Sequence, residues 1–138
     1  MSYTQDQQHS QTQTPMPVPP GDIERIGMGT TLSDAAICNG VVYLAGQVAD
    51  DGTQNITGQT AEVLAHVDRL LAEAGSDRSR ILMCQIFLAD IKDFDAMNQV
   101  WNAWVIPGQA PPRATVEAKL ARPQWLIEVI VTAAAGMA

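Results

Sequence analysis

The 138-residue sequence predicts one α+β domain whose strands and helices follow in the order β-β-β-α-β-α-β-β. Three observations predict this fold class: an Asn-Gly pair between two short β-like runs, two segments with the apolar spacing of a helix, and a long apolar run between those segments. Chains of this length typically form one domain, and two domains would not fit. The 46% apolar and 17% charged residues agree with a single compact core.

The N-terminal segment, residues 1–22, contains five Gln and four Pro and hardly any large apolar side chains. Such a composition cannot bury enough surface to offset the entropy lost on ordering. We therefore expect a disordered tail over residues 1–22, followed by one folded domain over residues 23–138.

Short β-like runs open the predicted domain. The dipeptide Asn39-Gly40 readily supplies the two positive φ angles of a type I′ turn, so the second and third strands should form a hairpin. The first three strands are predicted at residues 23–26, 32–38 and 41–45.

Two segments repeat apolar residues every three or four positions, as one face of a helix does. The first helix is predicted to have Thr57 as its N-cap and to stop at Gly75. Asp93 or Asp95 is expected to cap the second helix. Its apolar stripe consists of Phe94, Met97, Trp101 and Trp104.

Three later strands are predicted at residues 81–89, 114–120 and 126–133. The first of them, ILMCQIFLA, is almost continuously apolar, which suits a strand covered on both faces. If the helices connect parallel strands of one sheet, right-handed crossovers place both helices on the same face. The other face would then be apolar and bare, so we expect a partner subunit to cover it.

Composition and motifs disfavour several classes of function. The formal charge of −7 repels phosphate backbones, so no nucleic-acid partner is expected. The chain lacks a secretory signal and any apolar stretch near the roughly 20 residues that span a bilayer, so a cytoplasmic protein without a membrane partner is expected. P-loop, dinucleotide, acyl-enzyme and zinc-protease motifs are absent, and Cys38 and Cys84 form no ligand or redox pair, so no metal site is expected.

Arg113 and Glu128 are the charged residues that the sequence singles out. Arg113 follows two prolines and leads into a strand, where a fixed guanidinium could hold a carboxylate through two hydrogen bonds; a surface ion pair explains it equally well. Glu128 interrupts a strongly apolar strand, so it should be paired, bind a ligand or have a shifted pKa. If strands 114–120 and 126–133 are antiparallel neighbours, the two residues can lie near one another or across a cleft, and an ion pair between them is one alternative.

Four further residues allow two interpretations each. Asn98 interrupts the apolar stripe of the second helix, so it contacts either a substrate or a loop carbonyl, and the loop contact is favoured. His66 is favoured as a helix-surface or rim residue over a catalytic base. Trp101 and Trp104 are favoured as core residues over the lining of a ligand cleft.

Several short segments form a pattern that is recognisable as a set. They are Val-Val-Tyr-Leu-Ala-Gly-Gln (41–47), Gln59-Thr60 with Ala-Gly-Ser-Asp (74–77), Phe-Leu-Ala-Asp-Ile-Lys-Asp-Phe (87–94), Asn98, Pro-Pro-Arg-Ala-Thr-Val-Glu (111–117) and Ile-Glu-Val (127–129). In this order they resemble the Rid or YjgF family of reactive-intermediate imine and enamine deaminases. The resemblance covers about residues 23–135.

This resemblance implies a chorismate-mutase-like fold, with a mixed sheet and two helices on one face. It also implies a homotrimer in which the sheets form a central barrel and the active sites lie in clefts between subunits. In the family, the arginine after the proline-rich loop binds the substrate carboxylate and matches Arg113. The glutamate that positions the attacking water matches Glu128. Asn98, Gly46 and the backbone at Thr115 match positions near or lining the cleft.

The sequence departs from well-studied deaminases of the family at two cleft positions, where Leu32 and Ala45 replace a tyrosine and a serine. Thr115 also stands where a cysteine is common. These changes make one wall less polar, so we expect a larger or more apolar 2-imino acid to fit better than the smallest substrates of the family.

The expected activity is hydrolysis of 2-enamino or 2-imino acids to 2-keto acids and ammonia, with no cofactor. Two alternatives remain open at this point. One is a specialised enamine deaminase of a catabolic or biosynthetic pathway, with an aminomuconate-like substrate. The other is a trimeric protein that binds carboxylate metabolites without turnover. A ribonuclease role is poorly supported by the charge of −7 and by the lack of a histidine pair.

Overall fold

The computed structural model describes residue 19 and residues 21–136. The predicted tail, residues 1–22, lies almost entirely outside the described residues. Both the tail and the domain boundary at residue 23 therefore stay predictions.

The described residues form strands and helices in the predicted order, and most element ends differ from the prediction by a few residues. The elements are β1 (Glu24–Ile26), β2 (Ala35–Cys38), β3 (Val41–Leu44), α1 (Ile56–Glu73), β4 (Ile81–Leu88), α2 (Phe94–Trp104), β5 (Arg113–Glu117) and β6 (Ile127–Ala134). Short 3₁₀ turns, Arg78–Arg80 and Ile91–Asp93, precede β4 and α2.

All six strands belong to one mixed sheet with the order β1-β2-β3-β6-β4-β5. β6 pairs antiparallel with both β3 and β4, so β3 and β4 run in the same direction. β4 and β5 pair parallel. Each helix therefore connects strands that run in the same direction, as predicted.

The last two strands are not neighbours, because β4 lies between β5 and β6, so the condition under which Arg113 and Glu128 could lie close together is not met. β6 matches β4 from Ile127 to Ala133 along one edge and β3 along its other edge. Both edges of β6 are thus occupied, and the crossover through α2 leaves β5 at the outer edge of the sheet. The connection between β5 and β6 is a long loop rather than a tight turn.

The hairpin prediction is confirmed, since Asn39 and Gly40 have φ angles of 51° and 76°. The N-cap of α1 is Asn55 rather than Thr57. The Asn55 side chain accepts a hydrogen bond of 2.9 Å from the Gly58 N–H, which satisfies one of the free donors of the first turn. Gly75, with φ of 76°, ends the helix as predicted.

The N-cap of α2 is Asp93, one of the two predicted caps, but the Asp93 side chain makes no capping hydrogen bond. Asp90 performs that role one turn earlier, because its carboxylate accepts from the Lys92 N–H at 2.9 Å. The short 3₁₀ turn that Asp90 caps leads directly into the first residue of α2.

Both helices pack on one face of the sheet, as predicted. Alternate residues of β6 point towards them and are at most 1% exposed, and they form one apolar core with residues of α1 and α2. These β6 residues are Ile127, Val129, Val131 and Ala133. None of the helices in the described part of the chain is long and apolar enough to cross a bilayer.

The face of the sheet that points away from the helices is open in the single chain. Tyr43, Met83 and Val116 on this face are 51%, 42% and 47% exposed. β4 is therefore covered on one face only within the chain, as expected from the two helices on one side of the sheet. A second subunit on the open face stays a prediction.

Gln59 is a fully buried polar residue that connects α1 to the loop between β5 and β6. Its amide nitrogen donates to the Gln54 and Gln124 carbonyl oxygens at 3.1 Å and 3.0 Å, and its amide oxygen accepts from the Leu126 N–H at 2.9 Å. One side chain thus satisfies three backbone groups from two segments that are far apart in the sequence.

We expect Gln59→Leu to lower the free energy of unfolding by about 3 kcal/mol, because each buried backbone group left without a partner costs about 1–3 kcal/mol. Urea unfolding followed by circular dichroism measures this loss. Gln124→Ala is the matched control, since it keeps the carbonyl that Gln59 uses, and it should change stability by less than about 0.5 kcal/mol. Equal losses in the two variants would contradict the bridging role.

Candidate functional site

Arg113, the first residue of β5, lies beneath α2 and on the helix side of the sheet. Its Nη1 donates a hydrogen bond of 2.7 Å to the Asn98 side-chain oxygen. The guanidinium carbon lies 5.0 Å from the centre of the Trp101 ring and 5.8 Å from that of Phe94. The Pro112 carbonyl before it accepts from the Cys84 N–H at 3.0 Å, which fixes the proline-rich loop to β4.

A second Arg–Trp pair on the same helix shows what is unusual about Arg113. Arg78 lies 4.9 Å from the Trp104 ring centre, but its guanidinium also donates to both Asp68 carboxylate oxygens, at 3.1 Å and 2.6 Å. Its charge is therefore balanced. Arg113, in contrast, forms no ion pair with any acidic residue in the described ranges.

Thr115 lies two residues along β5 from Arg113, so its side chain points to the same face of the sheet. Its hydroxyl oxygen is buried and has no hydrogen-bond partner among residues 21–136. We call Arg113, Asn98, Thr115, Phe94 and Trp101 the Arg113 cluster.

Cys84 is the partner of Arg113 in the β4–β5 pairing and is fully buried, as expected for a small apolar residue. Burial raises the pKa of the Cys84 thiol to about 12, and the nearby Arg113 charge opposes part of that rise. The thiol is therefore protonated at neutral pH. Cys84 therefore lies beside Arg113 as a residue of the apolar core.

Glu128 lies on β6 between two buried residues, so its side chain points to the open face of the sheet. An isolated bridge between Gln47 and Val129 brings the backbone of Gly46 beside it, with N–O distances of 2.8 Å and 3.0 Å. A Cβ atom at Gly46 would overlap the Glu128 carboxylate. Position 46 therefore has to be glycine for Glu128 to keep this orientation.

Glu128 lines a cavity of about 390 Å³ that we call the Glu128 cleft. Leu32, Ala45 and Gly46 line it too, so the structure brings together four of the seven predicted site residues. The other lining residues are Asp34, Gln47, Val48, Asp50, His66 and Arg69. The sequence favoured a surface or rim position for His66 and assigned none of these six residues to the cleft.

The two predicted catalytic residues do not meet within one chain. Arg113 is on the helix face of the sheet and Glu128 on the open face, and β4 separates their strands. With about 4.8 Å between neighbouring strands, β5 and β6 lie about 10 Å apart. The alternative of an ion pair between Arg113 and Glu128 is therefore wrong for the single chain.

His66 lies partly buried on the rim of the Glu128 cleft, in agreement with its predicted rim position. Its Nε2 is 3.1 Å from Glu62 Oε2 and 3.4 Å from Asp50 Oδ2, and the three side chains form the one candidate metal-ligand group found within the described ranges. Glu62 also accepts from the Asp50 N–H at 2.6 Å and from Gln54 Nε2 at 2.7 Å. These hydrogen bonds stabilise the carboxylate and lower the pKa of Glu62, and the bond from the Asp50 N–H has the largest effect. These contacts fasten the loop after β3 to α1.

Larger than the Glu128 cleft is a groove of about 650 Å³ beside the loop between β5 and β6. Lys119, Arg122 and Trp125 are among its lining residues, with the Arg122 guanidinium 5.9 Å from the Trp125 ring centre. Neither Arg113 nor Glu128 lines it. Size alone therefore does not identify the site that the sequence predicts.

Phe94 and Trp101 belong to the Arg113 cluster but were not predicted as site residues, although their spacing was informative. Phe94, Asn98 and Trp101 are spaced by four and three residues, which puts them on one side of a helix. The sequence could not show that this side faces Arg113. His66 and Glu62 likewise have the four-residue spacing of a helical pair, but the loop that completes their cluster is identified only in the folded chain.

The mixed six-stranded sheet with both helices on one face is the chorismate-mutase-like fold of the YjgF proteins. The chain shares this fold with the crystal structure of a YjgF family member from Neisseria meningitidis, with a TM-score of 0.82, 45% identity, and coverage of 85% of this chain and 98% of that one. Yeast Mmf1, with 23% identity and a TM-score of 0.76, shares the fold over 83% of this chain and 99% of its own.

A family model described as Endoribonuclease L-PSP matches residues 23–135. The chain is 46% identical over 112 residues to a RutC family protein of Haemophilus ducreyi, covering 81% of this chain and 96% of the relative. It is 43% identical over 112 residues to the RutC family protein YoaB of Escherichia coli, covering 81% and 97%. The chain belongs to the Endoribonuclease L-PSP family, and the resemblance to Rid or YjgF proteins is confirmed.

We expect Gly46→Ala to displace the Glu128 carboxylate, because the added Cβ occupies its place. A crystal structure of the variant should show the Glu128 side chain in another rotamer, while circular dichroism and the unfolding temperature change little. Gly40→Ala provides a comparison, since a Cβ there meets nothing within 4 Å and only its positive φ is strained. A Glu128 side chain that stays in place in Gly46→Ala would contradict the steric argument.

We also expect the stability of the fold to depend on the ionisation of Cys84 at high pH. A thiol ordinarily ionises near pH 9.0, whereas burial raises the pKa of Cys84 to about 12. Between these values the folded chain holds more protons than the unfolded chain, so the free energy of unfolding falls as pH rises from 9 towards 12. Urea unfolding across this range should show a smaller decline for Cys84→Ala than for the parent. Cys38→Ala is the control and should keep the parent's decline; equal declines in all three proteins would refute this role of burial.

Proposed function

We propose that the chain hydrolyses 2-enamino or 2-imino acids to 2-keto acids and ammonia, at a site that two subunits form together. Family membership supports the general assignment. The observation that carries the reaction class is the unbalanced, partly buried guanidinium of Arg113.

Arg113 has the properties of a carboxylate anchor. A guanidinium has five N–H donors, and Arg113 uses one of them on a neutral amide oxygen within the described chain. The planar fork can therefore hold an incoming carboxylate through two parallel hydrogen bonds. An anion is favoured here because no described acidic side chain already pairs with the charge.

Glu128 supplies the base. It lies in an open cleft, held beside the Gly46 backbone, where its carboxylate can accept a proton from water. Since Arg113 and Glu128 of one chain are on opposite faces of the sheet, the complete site needs Arg113 from one chain and Glu128 from another. A homotrimer that covers the open sheet faces provides such an arrangement.

The chemistry needs no cofactor. The enamine takes a proton from solvent at carbon and becomes the electrophilic iminium ion, while Arg113 holds its carboxylate. Glu128 removes a proton from water as the oxygen attacks the iminium carbon, giving a tetrahedral amino alcohol. The same carboxylic acid returns that proton to the nitrogen. As the C–N bond breaks, the Glu128 carboxylate takes the hydroxyl proton and later releases it to solvent, so ammonia and the 2-keto acid leave. These substrates already react in water, so positioning and charge stabilisation suffice.

Leu32 and Ala45 favour a larger or more apolar substrate. Both line the Glu128 cleft, and Leu32 is 61% exposed, so an apolar side chain is available to a ligand. We therefore expect larger or more apolar 2-imino acids to react faster than the imine of pyruvate. The same two residues keep a non-catalytic carboxylate-binding protein as the second candidate, since neither offers a hydroxyl group for proton transfer. A specialised deaminase with an aminomuconate-like substrate would show as activity confined to that compound.

The test is ammonia release from imines generated in place by an L-amino-acid oxidase. The parent protein should accelerate release. Arg113→Ala should lower kcat/KM by about 100-fold, through loss of a charge-assisted anchor. Glu128→Gln should lower kcat by about 100-fold or more, through loss of the base. Saturable binding of 2-keto acids without any acceleration would refute the deaminase and favour the binding protein.

Mixing the two variants tests whether the site is shared. If Arg113→Ala and Glu128→Gln chains are unfolded and refolded together in equal amounts, random assembly should leave about one quarter of the sites with both residues. About one quarter of the parent activity should return. Activity that stays at the level of the separate variants would place both residues in one chain's site and contradict the sharing.

A further inference from the structure

We propose that Asn98 and Trp101 are positioning residues that hold the Arg113 guanidinium through uncharged contacts only, and that this keeps the cation available to a substrate carboxylate. The inference rests on the proposed role of Arg113 as the anchor. It concerns how the chain maintains an unpaired charge in a partly buried place.

One face of α2 supplies the uncharged contacts to Arg113. Asn98 lies between Phe94 and Trp101 on α2, and all three contact the guanidinium from the same side. Trp101 is only 5% exposed, so its ring is fixed by the core rather than free to move. The hydrogen bond to Asn98 sets the direction of one nitrogen, and the two rings lie beside the guanidinium carbon at 5.0 Å and 5.8 Å.

Neutral contacts differ from an ion pair in what they leave for a ligand. An aromatic face attracts a cation without cancelling its charge. An amide oxygen accepts one N–H and carries no formal charge. An Asp at the same place would pair with the guanidinium, as Asp68 does with Arg78, and would compete directly with an incoming carboxylate.

The second arginine beside α2, Arg78, has its charge neutralised by a carboxylate. Its carboxylate partner Asp68 also accepts from the Trp104 indole N–H at 2.9 Å, and Arg78 donates to the Trp104 carbonyl at 2.8 Å. This group fastens the end of α2 to α1 and leaves the charge paired. The two Arg–Trp pairs therefore differ in function through one residue type, an acid in one and an amide in the other.

The decisive variant is Asn98→Asp. Calorimetric titration with 2-oxobutanoate and with the larger 4-methyl-2-oxopentanoate should give a Kd at least tenfold higher than the parent value, since the new carboxylate occupies the guanidinium. KM for the matching imines should rise by a similar factor with kcat little changed, because the anchor acts equally on the bound substrate and the transition state. The unfolding temperature should not fall, because a new ion pair forms.

Trp101 is tested by a pair of variants. Trp101→Phe keeps a ring beneath the guanidinium and should raise KM by less than about threefold, whereas Trp101→Leu removes it and should raise KM by about tenfold. Trp104→Phe is the matched control on the same helix. Because the Trp104 ring centre also lies 5.4 Å from that of Trp101, this control keeps a ring against Trp101 and removes the indole N–H bond to Asp68. Trp104→Phe should lower the unfolding temperature and leave KM within about twofold of the parent value, since that indole N–H serves the Asp68–Arg78 pair.

A control for charge is Asn102→Asp, which adds the same charge to an exposed position of α2 and should change Kd by less than about twofold.

An Asn98→Asp variant that binds 2-keto acids as tightly as the parent would overturn the inference and leave the deaminase proposal standing. Binding that weakens as expected in a protein without ammonia release would refute the deaminase and support the positioning role. A parent protein that binds neither 2-keto acid would overturn both.

Discussion

The pairing of β6 with a neighbour on each edge is the constraint on which the rest of the structure depends. It places β6 in the sheet interior, with alternate residues in the core and Glu128 on the other side. β5 pairs with the free edge of β4, so Arg113 comes to the sheet edge beneath α2. The separation of the two charged residues follows from strand order, and the shared site proposed for them follows from that separation.

Much of the fold could be predicted because the signals were local. Asn39-Gly40 specifies its hairpin through two backbone angles, and Gly75 ends α1 in the same way. The shared face of the helices follows from the handedness of crossovers once the parallel strands are assumed. The cap of α1 was assigned wrongly because Asn55 and Thr57 both have capping side chains two residues apart. The choice between them depends on which oxygen reaches the Gly58 N–H.

The site was predictable in residue type and not in arrangement. An arginine after two prolines and a glutamate in an apolar strand are visible in the sequence, because each violates the pattern around it. Which residues surround them depends on strand order and register, and these are long-range properties. The same limit applies to His66, whose neighbour Asp50 comes from a loop rather than from its own helix.

The open sheet face, with Tyr43, Met83 and Val116 half exposed, has a consequence for the proposed assembly. If copies of the chain cover one another there, each association removes apolar surface from water, and mass action adds to the stability of every folded copy. The midpoint of thermal unfolding then rises with protein concentration. Copies that dissociate on dilution lose this added stability. At nanomolar concentrations the uncovered strands would then adsorb to other apolar surfaces, such as vessel walls, and the protein in solution would slowly decrease.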